Sequence, residues 1–113
     1  MSSGVDLFVY GTLMDESLVH QITGKHFSMS PADLKDFRKL PSKFGYSYIL
    51  PHKGSQVEGL LITGIDPGSM KRIDQYEEEG RLYFRKKITV VSNGKTIACE
   101  AYVGNPKVLW TRN

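Results

Sequence analysis

Apolar positions in this chain recur mostly with a period of two, and glycine, proline, asparagine or aspartate separates one run from the next. Val5 to Tyr10 is apolar except at Asp6 and reads as a buried first strand, ended by Gly11 and Thr12. Asp15 then caps a short helix through Ile22, with Leu18, Val19 and Ile22 at i, i+1 and i+4 and Gly24 suited to the position just past its end. Ser30 to Leu40 carries local helix signals: Ser30 as N-cap, Pro31 at the first position, and Leu34 and Phe37 three apart. Tyr46 to Leu50 predicts a strand that stops at Pro51, His52 to Ser55 a turn, and Gln56 to Thr63 a further strand with Val57, Gly59 and Leu61 on one side. Gly59 lacks a side chain and so permits a close approach by another segment. Asp66-Pro67 opens a second helix, to Tyr76, with Met70, Ile73 and Tyr76 along one face. Tyr83 to Val91 and Lys95 to Val103 are two strands around Ser92-Asn93-Gly94, a strong hairpin signal. Alternation puts Phe84, Ile88 and Val90 on one face and Tyr83, Arg85 and Lys87 on the other. Trp110, in the short tail, is placed to dock on the body.

Composition narrows the class. A chain of 113 residues with 40% hydrophobic content fits one domain with one core. The net charge of +3 is spread out, and the densest basic groups, Lys35 to Lys39 and Arg81 to Lys87, are interleaved with acidic or apolar residues. A nucleic-acid module would cluster its Lys and Arg and interleave them with exposed aromatics, so nucleic acid is not the expected partner. The single cysteine, Cys99, excludes an intrachain disulfide and reads as a small core residue. The start, Met1-Ser2-Ser3-Gly4, lacks the pattern of a signal peptide, and no run approaches the ~18 apolar residues of a membrane span. The expectation is a cytoplasmic protein with no membrane partner. His20, His26 and His52 have no common metal-ligand spacing.

Three motifs stand in order along the chain: Phe8-Val9-Tyr10-Gly11-Thr12-Leu13; Tyr46-Ser47-Tyr48-Ile49-Leu50-Pro51 followed by Val57-Glu58-Gly59; and Ile73-Asp74-Gln75-Tyr76-Glu77 followed by Tyr83-Phe84-Arg85-Lys86-Lys87-Ile88-Thr89-Val90. Together they resemble the gamma-glutamylcyclotransferase-like family, including its gamma-glutamylamine cyclotransferase and plant avirulence-induced branches, from about Val5 to Val103. The resemblance implies a mainly β, α+β fold: a small closed or nearly closed β-barrel with short flanking helices and a cavity at one end. It also implies a strand, not a helix, over Ser30 to Leu40. The family's essential glutamate matches Glu77. Tyr10, Gly11, Thr12 and Leu13 would line the cavity with backbone N–H groups, and Tyr83 and Arg85 would lie near it. The chain departs from the family at Glu78 and Glu79, where a Gly often follows the glutamate, at Ser47, where Pro is common, and at Met14-Asp15.

Members of that family release 5-oxoproline from a gamma-glutamyl compound by attack of its own α-amine on its γ-carbonyl. The chemistry suits these residue types. Ring closure is intramolecular, so the protein has to fold the substrate and manage protons. A half-buried carboxylate with a raised pKa can take the ammonium proton and return it to the leaving nitrogen. Backbone N–H groups at a strand end can hold an oxyanion or a carboxylate, and no metal or cofactor is required. The alternative is a non-catalytic protein of the same fold that binds a small amino-acid-like ligand. The plain reading of each motif also remains: Tyr10 to Leu13 as a strand and glycine turn, Glu77 as an exposed acid in an acidic run, and Tyr83 with Arg85 as an outward cross-strand pair.

Overall fold

A computed structural model describes residues 4–109. Five strands, β1 (Val5–Val9), β2 (Met29–Pro41), β3 (Ser47–Ile65), β4 (Tyr83–Ser92) and β5 (Lys95–Gly104), close into a barrel in the order β1-β3-β2-β4-β5. Neighbours are antiparallel except β1 and β5, which close the ring in parallel through Leu7 with Glu100 and Phe8 with Ala101. The β2–β4 seam is narrowest: a single bridge pairs Asp33 with Val91, and the Ser92 hydroxyl donates to the Pro31 carbonyl at 2.7 Å. A 3₁₀ turn (Thr12–Met14) and the helices α1 (Glu16–Thr23), α2 (Pro67–Glu77) and α3 (Pro106–Leu109) flank the barrel. Trp110 lies outside the described residues.

Strand alternation divides the apolar residues into two layers. One layer takes Phe8, Ala32, Leu34, Ile49, Val57, Leu61, Val90, Cys99 and Ala101 from all five strands and nothing from a helix, so it fills the barrel. Ile88 packs against that layer with Val90, as the alternation predicts. Cys99 sits within it, and burial pushes its thiol up to about 11, which keeps it un-ionised. The second layer joins Leu7, Val9, Tyr48 and Ile62 to Val19, Met70, Ile73 and Leu109, which the helices bring to the outside of the wall.

The helix boundaries follow their caps. The Asp15 carboxylate accepts the Ser17 N–H at 3.0 Å, and Gly24 ends α1 at φ 77°. Asp66 accepts the Ser69 N–H at 3.1 Å with Pro67 as the first residue of α2. The Ser69 hydroxyl first, and then its N–H, hold the Asp66 carboxyl down at about 2. Met70 and Ile73 bury the helix, whereas Tyr76, expected on the same face, is 45% exposed one turn further on.

Two local expectations give way to tertiary pairing. Residues 30–40 form strand, not helix: β2 pairs with β3 from Met29 to Pro41. Leu34 and Phe37 reach the same layer although they are three apart, because Asp36 inserts an irregularity at φ 64°. The bulge therefore imitates helical spacing. Residues 52–55 do not reverse the chain. β3 runs through them as one strand, and the pairing slips between Lys35 and Phe37, with the Gly54 N–H donating to Asp36 at 3.0 Å. The β4–β5 hairpin turns at Asn93 and Gly94 with φ 52° and 74°, the two positive values that a type I′ turn requires.

Gly59 permits the close approach expected of it: a Cβ there would stand 2.2 Å from the Val9 carbonyl oxygen and 2.8 Å from the Phe8 ring. Because the first obstacle is backbone, relief requires β1 and β3 to separate. Gly59→Ala is expected to lower stability by about 2 kcal/mol, within the range for overpacked cores, in urea unfolding followed by circular dichroism. Gly11→Ala, whose Cβ meets no protein atom within 4 Å, serves as the comparison.

Candidate active site

All five strands bring one end to the same rim: β1, β2 and β5 by their C-terminal ends, β3 and β4 by their N-terminal ends. A cavity of about 620 Å³ opens there. Its walls take Phe8 and Tyr10 from the barrel layer, and Val9, Leu13, Leu82, Tyr83 and Tyr102 from the layer under the helices. Gly11 and Thr12 follow β1, Lys39 lies near the end of β2, Tyr46 precedes β3 and Ser47 opens it, and Tyr76 and Glu77 end α2. Of the residues singled out in the sequence, Tyr10, Gly11, Thr12, Leu13, Glu77 and Tyr83 therefore share one concavity.

Glu77 is the last residue of α2 and is partly buried. Among the described residues its carboxylate has no hydrogen-bond or ion-pair partner. Loss of water raises its pKa to about 7, and the negative end of the helix acts in the same direction. The next two acids differ. Glu78 lies in the left-handed region at φ 54°, where it turns the chain out of the helix, and its carboxylate pairs with Arg81 at 2.7 Å. A glycine is the natural occupant of that conformation. Glu79 accepts the Arg85 backbone N–H at 3.3 Å. Of the three consecutive acids, only Glu77 carries a desolvated carboxylate without a partner among the described residues.

The phenols around it are pinned. Tyr10 donates to the Tyr102 carbonyl at 2.6 Å, and Tyr83 donates to the Ser47 carbonyl at 2.7 Å. Burial raises the pKa of Tyr10 well above its ordinary value, with the Tyr83 phenol and Glu77 carboxylate adding to the shift; Tyr83 is raised by burial and then by Glu77. Both stay protonated at neutral pH. On the facing wall, the N–H groups of Gly11, Thr12 and Leu13 have no acceptor among the described residues, as the start of a 3₁₀ turn leaves them. The Thr12 hydroxyl stands 3.3 Å from the Tyr76 hydroxyl.

Arg85, expected among the ligand-binding residues, does not line the cavity. Its guanidinium grips Asp74 of α2 with two bonds, 2.9 and 3.1 Å, and also bonds Glu100 of β5. Tyr102 donates to the same Asp74 carboxylate at 2.6 Å. The four side chains tie the C-terminal half of α2 to β4 and β5, one turn before Glu77. Sequence reasoning missed Asp74 and Tyr102 as part of this arrangement. The i, i+3 spacing of Asp74 and Glu77 was the available signal, since it puts both acids on one side of the helix. It also missed Lys39, which no motif marked, and Tyr46, which opens the second motif but was given no role there.

These features stand beside the following similarities. The family model described as gamma-glutamyl cyclotransferase, AIG2-like, matches residues 7–112. AIG2-like protein C of Arabidopsis thaliana is 30% identical over 105 residues, covering 90% of this chain and 60% of that protein. AIG2-like protein D of the same plant is 28% identical over 101 residues, 86% of this chain and 65% of the relative. The chain thus spans about three fifths of the length of these relatives. An Arabidopsis thaliana protein solved in solution superposes with a TM-score of 0.81 at 22% identity, over 96% of this chain and 76% of the other. A gamma-glutamyl cyclotransferase structure superposes at 0.78 and 19% identity, over 91% and 68%, and an AIG2-like protein from Mus musculus at 0.74 and 21%, over 96% and 84%. At these identities the superpositions speak to the fold, while the family match extends over nearly the whole sequence. On that match the chain belongs to the gamma-glutamyl cyclotransferase, AIG2-like family.

Proposed function

We propose that this protein is a cyclotransferase that releases 5-oxoproline from a small gamma-glutamyl amine or peptide. The observation that carries the proposal is the Glu77 carboxylate: desolvated, unpartnered, and set in one cavity with the free N–H groups of Gly11, Thr12 and Leu13. In the proposed reaction Glu77 removes a proton from the substrate's α-ammonium. The freed amine attacks the γ-carbonyl carbon, and a new C–N bond closes the five-membered ring. The carbonyl oxygen becomes negative as this happens. The Gly11 to Leu13 N–H groups hold that oxygen or the α-carboxylate. The old C–N bond then breaks as Glu77 returns its proton to the departing nitrogen, and the ring nitrogen gives up its second proton to the released amine, which leaves a neutral lactam and an ammonium. No external reactant is consumed, and a pKa near neutrality suits a group that must both accept and donate. Tyr10 and Tyr83 hold the shape of the pocket beside the glutamyl chain. Arg85 acts at one remove, by holding α2.

The test is incubation of the protein with gamma-glutamyl peptides, amino acids and amines, with 5-oxoproline detected by mass spectrometry. Glu77→Gln is expected to reduce turnover by ~10² to 10⁴, equivalent to about 3 to 5 kcal/mol in the barrel-end site. Glu78→Gln and Glu79→Gln should remain within a few-fold of the parent. A normal rate in Glu77→Gln would end the assignment, and absence of 5-oxoproline from every compound, with tight binding of one, would favour the non-catalytic alternative. In the parent protein kcat/KM should rise with pH through about 7, as the carboxylate ionises.

The same carboxylate makes a prediction about stability. Its pKa is raised in the folded protein, from 4.5 to about 7, so the folded state holds the proton more tightly than the unfolded chain. Below pH 4.5 both states are protonated and nothing is lost. Between pH 4.5 and 7 stability falls, and above 7 the cost of the desolvated charge is complete, on the order of 3 kcal/mol. Glu77→Gln removes this dependence. Urea titrations should show the variant gaining on the parent from pH 4.5 to 8; parallel curves across that interval would show that Glu77 is well solvated.

A further inference from the structure

The site described so far accounts for the gamma-glutamyl half of a substrate. The cavity is larger than that half needs, within the size range of pockets that enclose drug-sized ligands. Its β2 side is built differently from the rest. Lys39 pairs with Ile49 across the β2–β3 ladder, and directly paired residues point to the same face. Ile49 is buried in the barrel layer, so Lys39 occupies an inward-facing position that elsewhere along these strands is apolar. At the rim its chain reaches the opening and is exposed. Among the described residues it is the one basic residue lining the cavity, and it has no carboxylate or hydrogen-bond partner there. A charged side chain at a core-facing position, with nothing in the protein to pair with, points to a ligand.

Aromatic rings continue from this point outward. The Tyr46 ring lies 6.5 Å from Tyr83 inside the cavity and stacks on Phe44 at 5.8 Å outside it. Phe44 and Tyr46 are 48% and 37% exposed, although both are large aromatics. Lys43 sits 5.4 Å from the Phe44 ring centroid, adding a second positive charge to the outer end. In the ring of strands β2 is not a neighbour of β1, so Lys39 stands across the opening from the Gly11 to Leu13 turn. The two sides therefore address different parts of one molecule.

We propose that Lys39, Tyr46 and Phe44 form a leaving-group subsite that selects gamma-glutamyl compounds whose departing amine bears a carboxylate and an aromatic side chain. The proposal rests on the cyclotransferase reading for its reaction but not for its binding. The carboxylate pairs with the Lys39 ammonium, and the aromatic side chain stacks on Tyr46 with its outer edge towards Phe44. A departing amine that carries a second positive charge is repelled by Lys39.

The experiment compares gamma-glutamyl-phenylalanine with gamma-glutamyl-phenethylamine, which differ by one carboxylate, and with gamma-glutamyl-alanine, which lacks the ring. Wild-type kcat/KM should favour the phenylalanine compound over the phenethylamine compound by about tenfold, the scale of one charge-assisted contact. Lys39→Met should bring that ratio close to one, mainly through KM, and Lys39→Arg should restore most of it. Tyr46→Ala should selectively reduce the preference for phenylalanine over alanine. A ratio unchanged in Lys39→Met, or absent in the wild type, overturns the subsite and leaves the proposed reaction standing. The same compounds titrated calorimetrically into Glu77→Gln separate the two ideas. A tenfold difference in Kd that Lys39→Met abolishes, without turnover in the wild type, keeps the subsite and defeats the reaction. Equal Kd values defeat the subsite.

Discussion

The contact on which the site depends is the pair of bonds between Asp74 and Arg85. Its partners are only 23% and 25% exposed, and in such surroundings an ion pair holds when the remaining bonding capacity of both groups is filled. Tyr102 fills it for Asp74 and Glu100 for Arg85. The cluster reaches from α2 to the two strands of the last hairpin. Met70 and Ile73 anchor the middle of the helix by burial, which fixes depth but resists rotation weakly. The bidentate geometry adds direction. One turn beyond Asp74 the helix stops, and Glu77 is set over the rim.

The same cluster explains why Glu77 is left without a partner. The Arg85 guanidinium, held one turn earlier at Asp74, is already occupied by two other carboxylates. Arg81 is occupied by Glu78. A desolvated acid with no cation in reach keeps its proton to a higher pH, and pKa matching of this kind is what acid–base chemistry near neutrality requires. Three consecutive acids thus have three separate fates. The first faces the cavity without a partner, the second turns the chain at the cavity edge and pairs with Arg81, and the third receives a backbone N–H from the next strand.

The barrel contributes by being full. Nine residues from five strands pack its interior, so the wall has little freedom, and the available space lies at the rim where the strands end. The absence of a side chain at Gly59 and at Gly104, where a Cβ would stand 2.2 Å from the Val9 carbonyl oxygen and 2.3 Å from the Tyr48 ring, lets the chain segments close together at that rim. Irregular segments are then free to differ in chemistry without disturbing the packing. The turn after β1 offers N–H groups, the end of α2 a carboxylate, and β2 with the loop after it a lysine and an aromatic ring.

Much of this architecture was legible in the sequence because it is local. Asp15, Gly24, Asp66 and Pro67 mark their helices through bonds to residues a few positions away, and Asn93-Gly94 marks its hairpin through its own backbone angles. The apolar alternation in β4 and β5 follows from the pleat. Glu77 and the Tyr10 to Leu13 segment stood out as motifs. The rest required partners distant in the chain. Residues 30–40 carry a local helix start, and only the long ladder with β3 overrides it; the bulge at Asp36 then gives Leu34 and Phe37 their misleading spacing. Arg85 looked like a ligand-binding cation until Asp74, eleven residues earlier, and Glu100, fifteen later, were brought to it. Lys39 resembled any lysine of a solvated strand until its pairing with Ile49 turned it inward. Backbone preference and capping act within a turn of the chain and so are written in neighbouring residues. The partner of a charge and the face a strand presents depend on which segments meet, and only the closed barrel decides that.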